Sequence, residues 1–125
     1  MKRSFSELSH RVIGCALEVH RVLGPGLLES TYQQCLAKEL EIKGVPYRRE
    51  YALPVEYKGM RIDCGYRVDL MIGDELIVEL KAAEATKKIH EAQLLTYMRI
   101  AGIRHGLLIN FNVQRLKDGL KSFIL

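Results

Sequence analysis

The chain has no tryptophan, only three prolines and three cysteines, and no apolar run approaching the ~20 residues that a membrane-spanning helix requires. Each scarcity removes a class of protein. Cys15, Cys35 and Cys64 lie far apart and form no C-x-x-C pair, which argues against a disulfide framework and against a zinc or iron–sulfur site. They are expected to be small buried hydrophobes that stay reduced. Lys2 and Arg3 are followed by "SFSELSHRV" instead of an apolar segment, so no secretory leader is expected and the chain reads as cytoplasmic, with no membrane partner. Low-complexity tracts, repeats and obvious linkers are also missing. With 125 residues and 48% hydrophobic content, one core is affordable and two are not, so a single domain spanning residues 1–125 is expected. The excess of positive charge is slight, 19 Lys and Arg against 15 Asp and Glu with a pI near 9.0. It permits a polyanionic partner without requiring one.

What is present is clear periodicity. From about Ser6 to Leu23, the apolar residues Leu8, Val12, Ile13, Ala16, Leu17 and Val19 follow helical spacing, which Gly24-Pro25-Gly26 stops. A second helix is expected from about Leu28 to Lys43, with Leu28, Tyr32, Cys35, Leu36 and Leu40 on one side and Gly44 beyond its end. After Pro46 the period changes to two. Residues 47–57 read as a strand, placed at an edge or bulged by Pro54, with Lys58-Gly59 as a turn. Strands at about 60–72 and 75–81 follow, then a helix from about Thr86 to Ala101 carrying Ile89, Ala92, Leu95 and Ile100, then a short buried strand at "HGLLINF". The tail from Val113 onwards fits either a helical turn or a last edge strand. The order α-α-β-β-β-α-β predicts an α/β fold with a mixed sheet of four to five strands flanked by helices.

Two of these apolar strands carry charge: Asp69 in one, Glu79 and Lys81 in the other. Burying an unpaired ion is expensive, so the placement demands a reason. Glu79 and Lys81 share a strand face with Ile77, while Asp69 faces away from Val68, Leu70 and Ile72. A two-residue turn at Gly73-Asp74 would pair Asp69 with Val78 and put the two acids on opposite faces; one extra residue would pair Asp69 with Glu79 and unite them. If united, they would repel unless a proton or a cation lay between them, and an all-oxygen site suits Mg²⁺ or Mn²⁺. Lys81 could then orient water or neutralise charge on a phosphorane-like transition state. The plainer alternative is a same-face ion pair on a solvated sheet. Gln93 and Tyr97, one helical turn apart with His90 before them, could face the acids or be ordinary satisfied polar groups.

Asp69, "ELK" at 79–81 and "QLLTY" at 93–97 together resemble the PD-(D/E)XK nuclease superfamily, whose exonuclease-type branch carries Q-x-x-x-Y on its helix. "GLLESTY" at 26–32 matches the G-x-x-E-x-x-Y signature of a small bacterial and archaeal group assigned to that superfamily, and "LPVEYKG", "VELKA" and "LLINF" are similar to it as well. The resemblance implies a restriction-endonuclease-like core and a metal-dependent nuclease, cutting a phosphodiester bond by in-line attack of a metal-bound water. It gives Asp69 and Glu79, with the Leu80 carbonyl and Glu29, to Mg²⁺ or Mn²⁺; Lys81 to the attacking water; and Gln93 and Tyr97 to support or phosphate contact. Val68 stands where the superfamily's name has proline.

The partner implied is nucleic acid, DNA ahead of RNA, with oligomerisation or a recruiting protein supplying specificity to so small a core. Tyr47, Arg48, Arg49 and Tyr51, with Lys87, Lys88, Arg99 and Arg104, are candidate contacts or simply a solvated face. Two non-catalytic readings stand beside the nuclease: a nucleic-acid-binding module, and a protein-assembly module using the edge at 47–57. His20, near the Gly24-Pro25-Gly26 corner, could approach the metal site together with Glu29, or could serve as a capping or core residue.

Overall fold

The computed structural model describes residues 6–125, so Lys2 and Arg3 lie outside the described residues. Helices α1 (Glu7–Leu23) and α2 (Glu29–Ile42) precede β1 (Tyr47–Ala52), β2 (Val55–Tyr57), β3 (Met60–Ile62), β4 (Arg67–Ile72) and β5 (Leu76–Lys81). Then come α3 (Lys88–Ala101), β6 (His105–Asn110), a 3₁₀ turn (Leu116–Gly119) and β7 (Leu120–Ile124). Ser6 caps α1 by accepting a 3.0 Å hydrogen bond from the Ser9 amide.

One mixed sheet of order β1-β4-β5-β6-β7 forms the centre. β5 and β6 are its parallel pair, joined through α3, and all other neighbours are antiparallel. A five-stranded mixed sheet flanked by helices is the restriction-endonuclease-like α/β fold that the sequence predicts.

Several details differ from expectation. The strand expected over 47–57 breaks at Leu53-Pro54, where proline has no amide to offer a ladder. Its second half pairs with residues 60–62 as a separate hairpin, turned at Lys58 (φ 48°) and Gly59 (φ 82°), so the strand expected over 60–72 is also divided. The tail takes both forms offered for it, a helical turn and then the edge strand β7. The apolar stripe expected on α3 is also displaced. Leu94, Tyr97 and Met98 are buried, whereas Ile89 is 68% exposed and Ile100 faces outward. The reason lies in β6: a Cβ on Gly106 would stand 2.5 Å from Met98 Sδ, so this glycine lets the Leu94–Met98 side of α3 settle on the sheet.

The two sheet faces are covered differently. On one, Val12, Ala16 and Val19 of α1 and Tyr32, Leu36 and Leu40 of α2 pack on Leu70, Ile72, Leu76, Val78 and Leu80. Leu17 and Leu28, expected among them, are exposed. On the other, α3 packs on Met71, Ile77 and Leu108. The helix corner at Gly24-Pro25-Gly26 is held by Tyr32, fully buried, whose hydroxyl donates to Gly24 O at 2.6 Å and accepts from the Leu27 amide at 3.1 Å, while its ring stacks on Phe111 at 4.5 Å. His20 serves this corner, its Nε2 2.8 Å from the Val113 carbonyl, and not the acids. Cys15 is buried, and burial pushes its thiol up from the usual range; Cys64, contrary to expectation, is exposed because it lies in the loop between β3 and β4.

Candidate active site

The turn between β4 and β5 decides where the acids go. Ile72 pairs with Leu76, Met71 with Ile77 and Leu70 with Val78, leaving Gly73, Asp74 and Glu75 as a three-residue loop. That register carries Asp69 opposite Glu79, so the extra residue needed to unite the acids is present. At this level the regular ladder stops and side chains replace it. The Asp69 amide donates to Glu79 Oε1 at 3.1 Å, and the Leu80 amide donates to Asp69 Oδ2 at 2.7 Å. Each carboxylate thus satisfies a backbone amide of the opposite strand, which opens a split between β4 and β5 while leaving no buried polar side-chain atom unpaired among the described residues.

Face alternation also fails here. Val68 packs with Met71, Ile77 and Tyr97 on the α3 side, although its parity matches Leu70 and Ile72, which pack on the α1/α2 side. In β1 the same reversal separates Tyr47, on the α1/α2 side, from Tyr51, on the α3 side. Strict alternation, assumed in reading the sequence, therefore misplaces Val68. The residue of β1 at the reversal is Glu50, which lies between the pairs Arg49–Leu70 and Tyr51–Val68 and so stands opposite Asp69. Its φ is 50°, in the left-handed region. One level of the sheet therefore holds three acids on adjacent strands: Glu50, Asp69 and Glu79.

Their electrostatics follow from crowding. Glu79 is 6% exposed; burial first, and the Asp69 charge second, push its carboxyl up to about 8. Asp69 is raised by burial, against the pull of the Leu80 amide. Glu29, the first residue of α2, is raised by burial of its carboxyl and lowered in part by Lys81. Lys81 thus lies within electrostatic reach of Glu29, Asp69 and Glu79. Across α3, Gln93 Nε2 donates to Tyr97 Oη at 2.9 Å, and burial and then the Glu79 charge raise the Tyr97 hydroxyl. A cavity of about 380 Å³ opens on the α2 side, lined by Leu28, Glu29, Ser30, Gln33, Glu50 and Asp69.

All six residues singled out in the sequence therefore border one region, although Glu29, Asp69 and Glu79 do not close into a cage. Among the described residues, no three His, Cys, Asp or Glu side chains are close enough to hold a metal by themselves. Sequence reading missed three supporting residues. Gln33 could have been found from its i+4 spacing after Glu29. Glu50 gave no signal, since its register depends on pairing. Asn110, beside Lys81 in the parallel pair of β5 and β6, anchors the loop after β5 through the Ala83 amide (3.2 Å) and carbonyl (2.9 Å). The basic and aromatic residues of β1 are partly engaged already: Arg48 bonds Asp74 at 2.6 Å and lies over the Tyr51 ring, and Arg49 donates to Gln33.

A mixed sheet split at paired acids, with a lysine two residues beyond the second acid, defines the class of nuclease-like α/β folds. A sequence model of the PD-(D/E)XK nuclease superfamily matches residues 6–123, and the chain belongs to that superfamily. No curated protein and no solved structure gives a significant match. No helix of the described residues is long and apolar enough to cross a membrane.

Proposed function

We propose that this protein is a metal-dependent nuclease of the G-x-x-E-x-x-Y group, hydrolysing phosphodiester bonds of nucleic acid, with DNA the favoured substrate. The observation that carries the reading is the split between β4 and β5. Two acids are brought opposite each other, partly buried, and held by backbone amides in a geometry that disfavours both being ionised unless positive charge joins them. The donors are hard oxygens, and among the described residues no three acids close into a cage of their own. That set fits Mg²⁺ or Mn²⁺, which bind through one or two carboxylates and complete their shell with water and substrate phosphate.

Asp69 and Glu79 would hold the cation, with the Leu80 carbonyl, and with Glu29 at its periphery. When bound, it would supply Lewis-acid polarisation of the phosphate and favour ionisation of water. Lys81 positions the attacking water and offsets charge on the phosphate oxygens; the new P–O bond forms as the ester P–O bond breaks, its electron pair leaves with the departing oxygen, and the proton given up by the water is balanced by the one that oxygen takes up. Gln93 and Tyr97 form a hydrogen-bonded wall that fixes this side of the site. The G-x-x-E-x-x-Y residues have separable tasks. Gly26, at φ 101°, permits the corner, Tyr32 staples it, and Glu29 opens α2 towards the acids. Oligomerisation or a recruiting protein would supply specificity.

The test is cleavage of labelled single-stranded and duplex DNA and RNA with Mg²⁺, Mn²⁺ or EDTA, beside Glu79→Ala and Lys81→Ala. Metal-dependent cleavage lost in both variants is the expected result. Absence of cleavage, with binding unchanged in the variants, would favour the non-catalytic module instead.

A further inference from the structure

We infer that Glu50 is a further acid of this phosphodiester site and that Gln33 is its positioning residue; the inference rests on the nuclease reading above and deepens it. Gln33 is 7% exposed, and its amide nitrogen is directed at the site. Its Nε2 donates to Glu50 Oε1 at 2.9 Å and reaches Asp69 Oδ1 at 3.4 Å, while its Oε1 accepts from Arg49 Nε at 3.2 Å. One amide nitrogen on α2 therefore spans carboxylates on β1 and β4. Asp69 Oδ2 is committed to the Leu80 amide, so Gln33 touches the oxygen of Asp69 left available to a ligand.

Glu50 holds its place at a conformational cost. It is one of two non-glycine residues with positive φ among the described residues; the other, Lys58, sits in a hairpin turn where that conformation is ordinary. Inside a strand a left-handed glutamate is disfavoured, and glycine would adopt the conformation freely. Fold stability alone would thus favour glycine at position 50. The left-handed residue stands where the faces of β1 reverse, and its carboxylate joins Glu29, Asp69 and Gln33 around the cavity. Strain retained next to paired acids points to a functional demand on the side chain. Its negative charge adds to the attraction for a divalent cation, and Gln33 keeps it beside Asp69.

The experiment pairs thermal unfolding of the metal-free protein with calorimetric titration of Mn²⁺, in wild type, Glu50→Gly, Glu50→Asn, Gln33→Leu and Glu79→Gln. Glu50→Gly is expected to raise the metal-free Tm by a few degrees and to weaken Mn²⁺ binding roughly tenfold. Glu50→Asn, which tolerates the left-handed backbone, should weaken binding with little change in Tm, and Gln33→Leu should weaken binding as well. A lowered Tm in Glu50→Gly, or Mn²⁺ affinity equal to wild type in both Glu50 variants while Glu79→Gln loses it, would overturn the role of Glu50 and leave the nuclease reading standing. Failure of wild type to bind Mn²⁺, or binding insensitive to Glu79→Gln, would overturn both.

Discussion

The two sides of β5 are built to different ends, and the contrast appears within six residues. Leu76, Val78 and Leu80 point into the apolar cluster under α1 and α2; Ile77, Glu79 and Lys81 share the other parity, where Ile77 alone continues an apolar cluster. Beneath Leu76, Val78 and Leu80 the first face buries hydrocarbon, and polar groups enter it at the α2 edge, where Gln33 meets Glu50 and Asp69. The second gives up part of that burial to hold Glu79 and Lys81 at the split between β4 and β5, where Asp69, reached by Gln33 from the α2 side, meets Glu79. Stability and chemistry are thus assigned to opposite sides of the same strand, and substitutions on the two sides should fail in opposite ways.

The largest separation is expected in activity. Glu79→Ala and Lys81→Ala should each lower metal-dependent cleavage by at least about a hundredfold while circular dichroism reports an intact fold. Leu36→Ala, under the opposite face, should do the reverse: lose about 2–5 kcal/mol in denaturant unfolding, yet cleave normally per folded molecule. If Leu36→Ala changed the cleavage rate of the folded protein as strongly as Glu79→Ala, the division of labour would be wrong.

The next effect is in pH. Glu79 is held up at about 8, and Asp69 is also raised, so between the ordinary carboxylate range and about pH 8 the folded protein binds more protons than the unfolded chain. Stability of the metal-free protein should therefore fall as pH rises through that window, by a few kcal/mol, and Glu79→Gln should flatten the slope. A slope of opposite sign in urea titrations at pH 5, 6.5 and 8 would contradict the assignment. The smallest effect belongs to the half-exposed pair Lys121–Glu91, 2.7 Å apart, which links β7 to α3 outside both regions. Lys121→Ala should change stability by about 0.5 kcal/mol and cleavage not at all.

Much of this division was legible in the sequence, because period-two strands with one clean apolar face announce which side is core. Asp69, Glu79 and Lys81 stood out as ions among Val, Leu and Ile, and the two possible hairpin loops stated in advance what would unite the acids. The three-residue loop at 73–75 was not legible, since Gly-Asp is compatible with either length. The exposed stripe of α3 was misread because Ile89, Ala92 and Ile100 are apolar by type, whereas the face that packs is chosen by the gap at Gly106. Glu50 and the reversed face of Val68 were hidden for a further reason: alternation assumes continuous β geometry, and one left-handed residue in β1 breaks it.

The most direct measurement is the Tm of wild type and Glu79→Gln at pH 8, each with and without Mg²⁺. If the acids are placed for a cation at the expense of the fold, Glu79→Gln should be the more stable protein without Mg²⁺, and Mg²⁺ should raise the Tm of wild type by several degrees while leaving the variant unchanged. A Glu79→Gln variant less stable than wild type without Mg²⁺, or one stabilised by Mg²⁺ to the same extent, would contradict the account.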